Sequence, residues 1–310
     1  SLFTMGPSIQ QPAVRFPHFV RRGPRAKDFV IDEVLDKLTT EATQFIRKAS
    51  AGDKPLFLYM PLTAPHKPTQ PHERFRGTTK LGEYGDFVTQ VDWSVGEVLG
   101  ALDAAGVAEN TLVVYTSDNG SYMYRYDDAK AKDHVDEASI QGFRADRHRA
   151  NGPFRGTKAD VWEAGHHVPL LVRWPGKVKG GSKSDTTVCL TDLFATCADV
   201  AGGKLTEEAA PDSFSLIPML KDERAQRGAP VIHHSAAGMF AIREGKWKLI
   251  AGNGSGGRQQ PRGKPFAKPF MLFDLEADIG ETNDLAKEHP EVVANLTKQL
   301  ETLRKSGRSR

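Results

Sequence analysis

Residues 85–106 repeat apolar side chains at helical spacing (Phe87, Val88, Val91, Val95, Val98, Leu99, Leu102). They stop at Gly106 and lead into the apolar run Leu112-Val113-Val114-Tyr115. An amphipathic helix that hands over to a short buried strand leaves few architectures open. The handover recurs. Val30, Ile31, Val34, Leu35, Leu38, Ala42, Phe45 and Ile46 have helical period ahead of a strand expected over 54–60, and a strand-like stretch over 168–173 precedes a helical pattern over 190–201. Strands alternating with helices predict an α/β fold with a mostly parallel sheet flanked by helices.

Beyond Pro211 the texture changes. Pro230-Val231-Ile232, Met239-Phe240-Ala241-Ile242, Trp247-Lys248-Leu249-Ile250 and Met271-Leu272-Phe273-Asp274 are short runs separated by glycines and charged turns. They predict a small antiparallel sheet, closed by a helix over 291–303. Residues 252–268, rich in Gly, Pro, Arg and Lys, read as a mobile hairpin loop. Residues 1–27 read as Pro- and Arg-rich loop. The expected division is an α/β domain over 1–220 and a C-terminal subdomain over 221–310.

Composition narrows the function. Of 310 residues, 39% are hydrophobic and 26% charged, ordinary for a chain with a globular core. A formal charge of +3 is too slight to argue for nucleic acid, and no nucleic-acid-binding module is legible. No apolar run reaches the length of a membrane span. Cys189 and Cys197, eight apart on an expected helix, read as free and buried.

Three polar clusters follow or precede apolar runs. Thr116-Ser117-Asp118-Asn119-Gly120 ends one such run, and adjacent carboxylate and amide oxygens at a strand's carboxyl end suit a hard divalent cation. The competing reading is a simple Asx turn. Leu56-Phe57-Leu58-Tyr59-Met60 leads into a loop that holds His66 between prolines, and Lys158 lies on the Gly-rich stretch 152–158. A metal and an ammonium would offset negative charge on an ester, while the imidazole could give or take a proton. Residues 127–149 form a polar insertion with Arg147 and His148, read either as a solvated loop or as a grip on an anionic substrate.

These stretches, in this order, closely resemble the formylglycine-dependent, arylsulfatase-like sulfatases of the alkaline-phosphatase superfamily. The match runs from about Asp28 through Pro55–Pro71, Tyr84–Gly100, Asn110–Gly120 and Gly152–Gly176. It continues through Lys246-Trp247-Lys248-Leu249-Ile250 to Leu272-Phe273-Asp274-Leu275-Glu276 and Asn283-Asp284-Leu285. The resemblance implies an alkaline-phosphatase-like fold and a sulfuric ester hydrolase acting on a sulfated small molecule or glycan, periplasmic or secreted by family habit. It implies calcium, with magnesium second, on Asp118 and Asn119, and catalytic roles for His66 and Lys158. Arg155, His167, His148 and Arg147 are weaker candidates for substrate contacts.

Three family features are not found upstream of His66: the paired Asp residues, the Lys-x-His pair and the Cys/Ser-x-Pro-x-Arg motif that supplies the formylglycine. The expectation is therefore a C-terminal portion, inactive alone, whose nucleophile lies in a missing N-terminal part. The Arg of the family's Glu-Gly-Gly-x-Arg-Val-Pro stretch is replaced in Glu163-Ala164-Gly165-His166-His167-Val168-Pro169, which puts local packing in question. The alternatives are a phosphodiesterase or phosphonate monoester hydrolase of the same superfamily, or a non-catalytic anion- or glycan-binding remnant.

Overall fold

The computed structural model describes residues 29–66, 69–121, 148–222 and 224–310. The described residues divide into two compact units, one of residues up to 111 together with His148, the other of residues 112–121 and 149–310.

In the first unit a 3-10 turn (Ile31–Glu33) leads into α1 (Val34–Ser50), which packs against α2 (Gly82–Ala104). The helical spacing read from the sequence supplies the contact: Leu35 meets Phe87 and Val91, with Leu62 and Ala64 laid against them. Polar cross-links accompany the apolar ones. Thr39 Oγ1 donates to Ser94 Oγ at 2.9 Å, Gln90 Nε2 donates to Asp36 Oδ1 at 2.9 Å, and the Arg74 guanidinium grips both oxygens of Asp36. Because Leu62 and Ala64 are anchored on the helices, the turn that carries His66 is anchored too; its N–H donates to Thr63 O at 3.2 Å.

The strand expected over 54–60 is not present among the described pairings. A strand exists through its ladder, and no described residue pairs with this run. Phe57 and Tyr59 are 73% and 78% exposed, as the outward positions of an unpaired apolar segment would be.

In the second unit β1 (Val113–Thr116) pairs with β2 (Leu170–Arg173), Val113 opposite Arg173 and Thr116 opposite Leu170. The expectation was a mostly parallel sheet, and this pair is antiparallel. An antiparallel strand on an otherwise parallel sheet is a common arrangement in large α/β folds. Between them lies the short helix α3 (Glu163–His166), and after them come α4 (Asp192–Val200) and α5 (Ile217–Lys221). Asp192, fully buried, receives a bidentate Arg227 at 2.9 and 3.0 Å and the N–H groups of Cys189 and Phe214. The cysteines are free, but Cys189 is half-buried and Cys197 exposed, not buried as expected. Helix α4 turns Asp192, Ala195 and Thr196 inward, and Cys197 follows on the outer face.

The C-terminal meander has the predicted character: β3 (Val231–His234), β4 (Phe240–Glu244), β5 (Trp247–Ile250) and β6 (Met271–Asp274) pair antiparallel in sequence order. The strand period of two sorts its side chains onto two faces. Ile242, Leu249 and Leu272 meet Leu296 and Leu300 of α6 (Pro290–Ser306). Ala241, Ile250 and Phe273 face the other way, onto Val161 and Trp162. Lys248 and Arg243 share that second face by the same alternation.

Residues 252–268, expected as a mobile hairpin loop, form a loop closed by its own hydrogen bonds. Gly252 bridges to Pro265, Ser255 N donates to Pro261 O at 2.9 Å, and Gly256 N donates to Arg262 O at 2.7 Å. Glycine makes the closure possible, since a Cβ on Gly254 would sit 2.4 Å from Pro261 O.

The sheet core sets the stability of this unit. Leu249→Ala should lower the unfolding free energy by about 2–5 kcal/mol, whereas Leu171→Ala, on a 62% exposed side chain, should stay within about 0.5 kcal/mol. Urea denaturation of both variants checks this, and equal losses would contradict it.

Candidate functional site

Strand β1 delivers Asp118 and Asn119, and the next two residues lock them in place. Gly120 N donates to Gly165 O at 3.1 Å. The approach is so close that a Cβ at Gly120 would lie 1.6 Å from Ala164 O, which only glycine avoids. Ser121 N donates to Asn151 Oδ1 at 2.9 Å, and Asn151 Nδ2 returns a bond to Ser121 O at 3.0 Å. The same carbonyl accepts from Lys158 N at 2.9 Å. The Asp118-Asn119 turn, the Lys158 loop and α3 are thus joined by backbone geometry.

Within that junction Asp118 is exposed, and its carboxylate takes no hydrogen bond or ion pair among the described residues. Asn119 Nδ2 donates to Gly120 O at 3.1 Å, which leaves its Oδ1 as the outward oxygen. Two adjacent oxygens, one anionic, fit a hard divalent cation. They do not complete a site, since no group of three or more His, Cys, Asp or Glu is arranged for a metal among the described residues.

The Lys158 loop rests on a buried carboxylate. Asp160 Oδ2 accepts from Thr157 N at 2.9 Å, and Asp160 Oδ1 accepts from Gln259 N at 3.0 Å. Ala159 takes a left-handed φ of 82°, and its carbonyl accepts from Ala236 N at 2.9 Å. Trp162 then buries its ring edge-on against Phe273, while the Arg155 guanidinium stacks 3.7 Å over the Trp162 ring.

Beneath α3 lies a cluster of buried charge. Lys248 Nζ sits 3.0 Å from Glu163 Oε1 and 2.8 Å from Glu281 Oε1, with all three side chains buried. Arg243 Nη1 and the Nδ1–H of His167 both donate to Glu163 Oε2 at 3.0 Å. Burial alone would raise the Glu163 carboxyl. The charges of Lys248 and Arg243 and the His167 hydrogen bond overcome it and hold the group well below the usual carboxylate range. Burial pushes Glu281 up, and the neighbouring Glu163 charge adds to it.

Of the weaker candidates, His167 is exposed, bonded to Glu163 and stacked on Phe154 with ring centroids 4.1 Å apart. Standing where the family has Arg, its imidazole bonds the buried Glu163 carboxylate. Arg155 Nη1 donates to Glu281 O at 2.7 Å and so ties the loop to the C-terminal segment. His66 and His148 belong to the first unit, where His148 lies 6.2 Å from the Tyr84 ring. Arg147 lies outside the described residues.

Asn151, Asp160, Lys248 and Glu281 were not singled out from the sequence. Lys248 had a signal: a cation inside the apolar run Trp247-Lys248-Leu249-Ile250 must either face water or find a buried anion. Asn151 before Gly152 looks like any turn, and its side-chain pairing with Ser121 spans a separation no local pattern reports.

Comparison with known proteins bears on the same residues. The family model "Sulfatase" matches residues 9–203, and the model "N-sulphoglucosamine sulphohydrolase, C-terminal" matches residues 157–306. The N-acetylgalactosamine-6-O-sulfatase of Bacteroides thetaiotaomicron is 34% identical over 284 residues, 88% of this chain and 51% of that protein. The steryl-sulfatase of Mus musculus is 34% identical over 272 residues, 81% of this chain and 41% of that protein. A solved structure from the metabolism of multiple glycosaminoglycans by Bacteroides thetaiotaomicron superposes with a TM-score of 0.76 at 32% identity, covering 89% of this chain and 55% of its own. The chain therefore spans about half the length of these relatives.

Two outcomes follow from the geometry. Gly120→Ala should cost about 1–3 kcal/mol or more in urea denaturation, because backbone must move to admit the methyl group; a neutral substitution would mean the junction is looser than described. The second concerns pH. Burial, then repulsion from Lys248, lowers His166 to about 4, and His233 is shifted the same way for the same two reasons. With folded values below the unfolded 6.5, proton uptake favours the unfolded chain. Stability should be full above pH 6.5 and fall between 6.5 and about 4, by about 3 kcal/mol for His166. Denaturation midpoints across that window check it, and a His166→Asn variant should flatten the slope.

Proposed function

The chain belongs to the sulfatase family, and from that premise we propose that it forms the metal- and leaving-group-binding part of a hydrolase of carbohydrate sulfate esters. The observation that carries this reading is the junction at Ser121. It holds an exposed Asp118, without a partner among the described residues, beside Asn119 and ties that turn to the loop bearing Lys158.

In this reading Asp118 and Asn119 would hold a divalent cation, calcium before magnesium. When bound, that ion supplies positive charge against the sulfuryl oxygens, and a formylglycine outside this chain supplies the nucleophile. Lys158 places its ammonium on a loop fixed at Thr157 and Asp160, so charge that develops on the leaving group meets a preset cation. His66 would give a proton to the leaving oxygen. Arg155 and His167 would act at the margin, and His148 and Arg147 are candidates for contacts beyond the sulfate. A carbohydrate substrate is taken from the bacterial relative's name. No helix among the described residues is long and apolar enough to cross a membrane, and we place the protein in the periplasm or outside the cell. Residues 1–220 and 221–310 are taken as its catalytic part and its C-terminal subdomain.

Calcium titration of the 310-residue chain by calorimetry, with Asp118→Ala alongside, tests the metal assignment. Affinity should fall at least about tenfold on loss of the carboxylate, and unchanged affinity would remove Asp118 as a ligand. The chain itself, which lacks Cys/Ser-x-Pro-x-Arg, should release no sulfate from N-acetylgalactosamine 6-sulfate. Measurable turnover would overturn the view that the nucleophile lies elsewhere.

A further inference from the structure

We propose that Asn151 is a positioning residue that sets the spacing between the Asp118-Asn119 turn and the Lys158 loop; what those two groups do rests on the sulfate-ester reading above. The Asn151 carboxamide treats Ser121 as a neighbouring strand would. Oδ1 accepts from Ser121 N at 2.9 Å and Nδ2 donates to Ser121 O at 3.0 Å. One planar group thus makes the reciprocal pair of bonds that two opposed residues exchange in an antiparallel ladder. The pairing of β1 with β2 ends at Thr116 opposite Leu170, and Asn151 takes it up again beyond the Asp118-Asn119 turn. Nδ2 also lies 3.4 Å from Gly156 O, at the head of the Lys158 loop.

Ser121 O accepts from Lys158 N at 2.9 Å as well as from Asn151 Nδ2. Ser121 therefore cannot shift without the Lys158 loop following, and Asn151 decides where Ser121 lies. Asn151 is itself held in place. It is buried, its carbonyl accepts from Phe154 N at 3.1 Å, and Gly152 N beside it donates to Arg149 O at 2.9 Å. The chemistry suits a carboxamide. An alanine has neither group, and a carboxylate accepts from Ser121 N but sets its lone pairs against Ser121 O. A hydroxyl is too short to reach both atoms. A support of this kind acts through the residues it holds and touches no ligand.

The test sets Asn151→Ala against Leu249→Ala, a core variant whose side chain packs on α6, each in the 310-residue chain and under conditions where circular dichroism shows it folded. Two quantities are read: calorimetric affinity for calcium, and amide hydrogen exchange at Ser121 and Lys158. Asn151→Ala should weaken calcium at least about tenfold and speed both amides at least about tenfold beyond Leu249→Ala. Leu249→Ala should leave calcium within about twofold. Equal effects of the two variants overturn the proposal, since Asn151 would then only add stability. Calcium affinity that falls in Asp118→Ala and not in Asn151→Ala overturns it too. If Asp118→Ala leaves calcium binding unchanged, the metal assignment fails and exchange alone decides. Faster exchange at Ser121 and Lys158 in Asn151→Ala then upholds the positioning role, and exchange as in the unaltered chain ends it. Should Asn151→Ala not fold, Asn151→Asp, which keeps the shape and the acceptor but loses the donor, should show the same gain in exchange at Lys158.

Discussion

Lys248 has no contact with solvent, and its ammonium lies between the carboxylates of Glu163 and Glu281. A lone cation at that depth would be prohibitive, and either carboxylate alone would be nearly so. Together they oblige three separate segments to meet: strand β5, the start of α3 and the turn that follows β6. Val161 and Trp162 cover the same sheet face as Lys248, so the apolar contact and the ionic one act on one loop. Everything the candidate site needs from the 151–167 stretch hangs from that attachment. Removing one partner would leave a buried charge uncompensated, whereas replacing all of them with apolar groups could keep the stability and lose the register.

Much of the architecture was legible because it is periodic. The helical spacing of Leu35, Phe87 and Val91 announces the α1–α2 contact, and the alternation in Trp247-Lys248-Leu249-Ile250 announces a two-faced strand. Asp118 and Asn119 were legible for a different reason, being polar residues placed where an apolar run stops. What stayed hidden depends on partners remote in sequence. No window around residues 54–60 reveals whether a neighbouring strand exists to pair with, and no window around Asn151 reveals Ser121. The internal bonds of the 252–268 loop were hidden because glycines look alike in sequence whether or not they allow close backbone contacts such as that of Gly254 with Pro261.

The site combines stiff support with open ends. Asp160, Glu163 and Glu281 spend their oxygens on backbone N–H groups, Lys248 and Arg243, and none of them is exposed. The groups that would meet a ligand, Asp118, Asn119 and His167, stand at or near the surface. That division suits a cation or anion site. The supporting carboxylates already have their hydrogen-bond partners, so they hold the outer groups in position before a ligand arrives.

The junction at Ser121 has a bearing on how the chain acquires its shape. Gly120 and Ser121 meet Asn151, Lys158 and Gly165; Asp160 meets Arg258 and Gln259; Glu163 meets Lys248 and Glu281. These contacts close stretches of 30 to 118 residues. Closing long stretches is entropically slow, and it is rewarded only when the elements at both ends already exist. The meander β3–β6, made of neighbouring hairpins, can form early and alone. The Asp118 turn and the Lys158 loop have nothing to settle on until it has formed, so the chemistry-bearing corner of this unit is its last part to take shape.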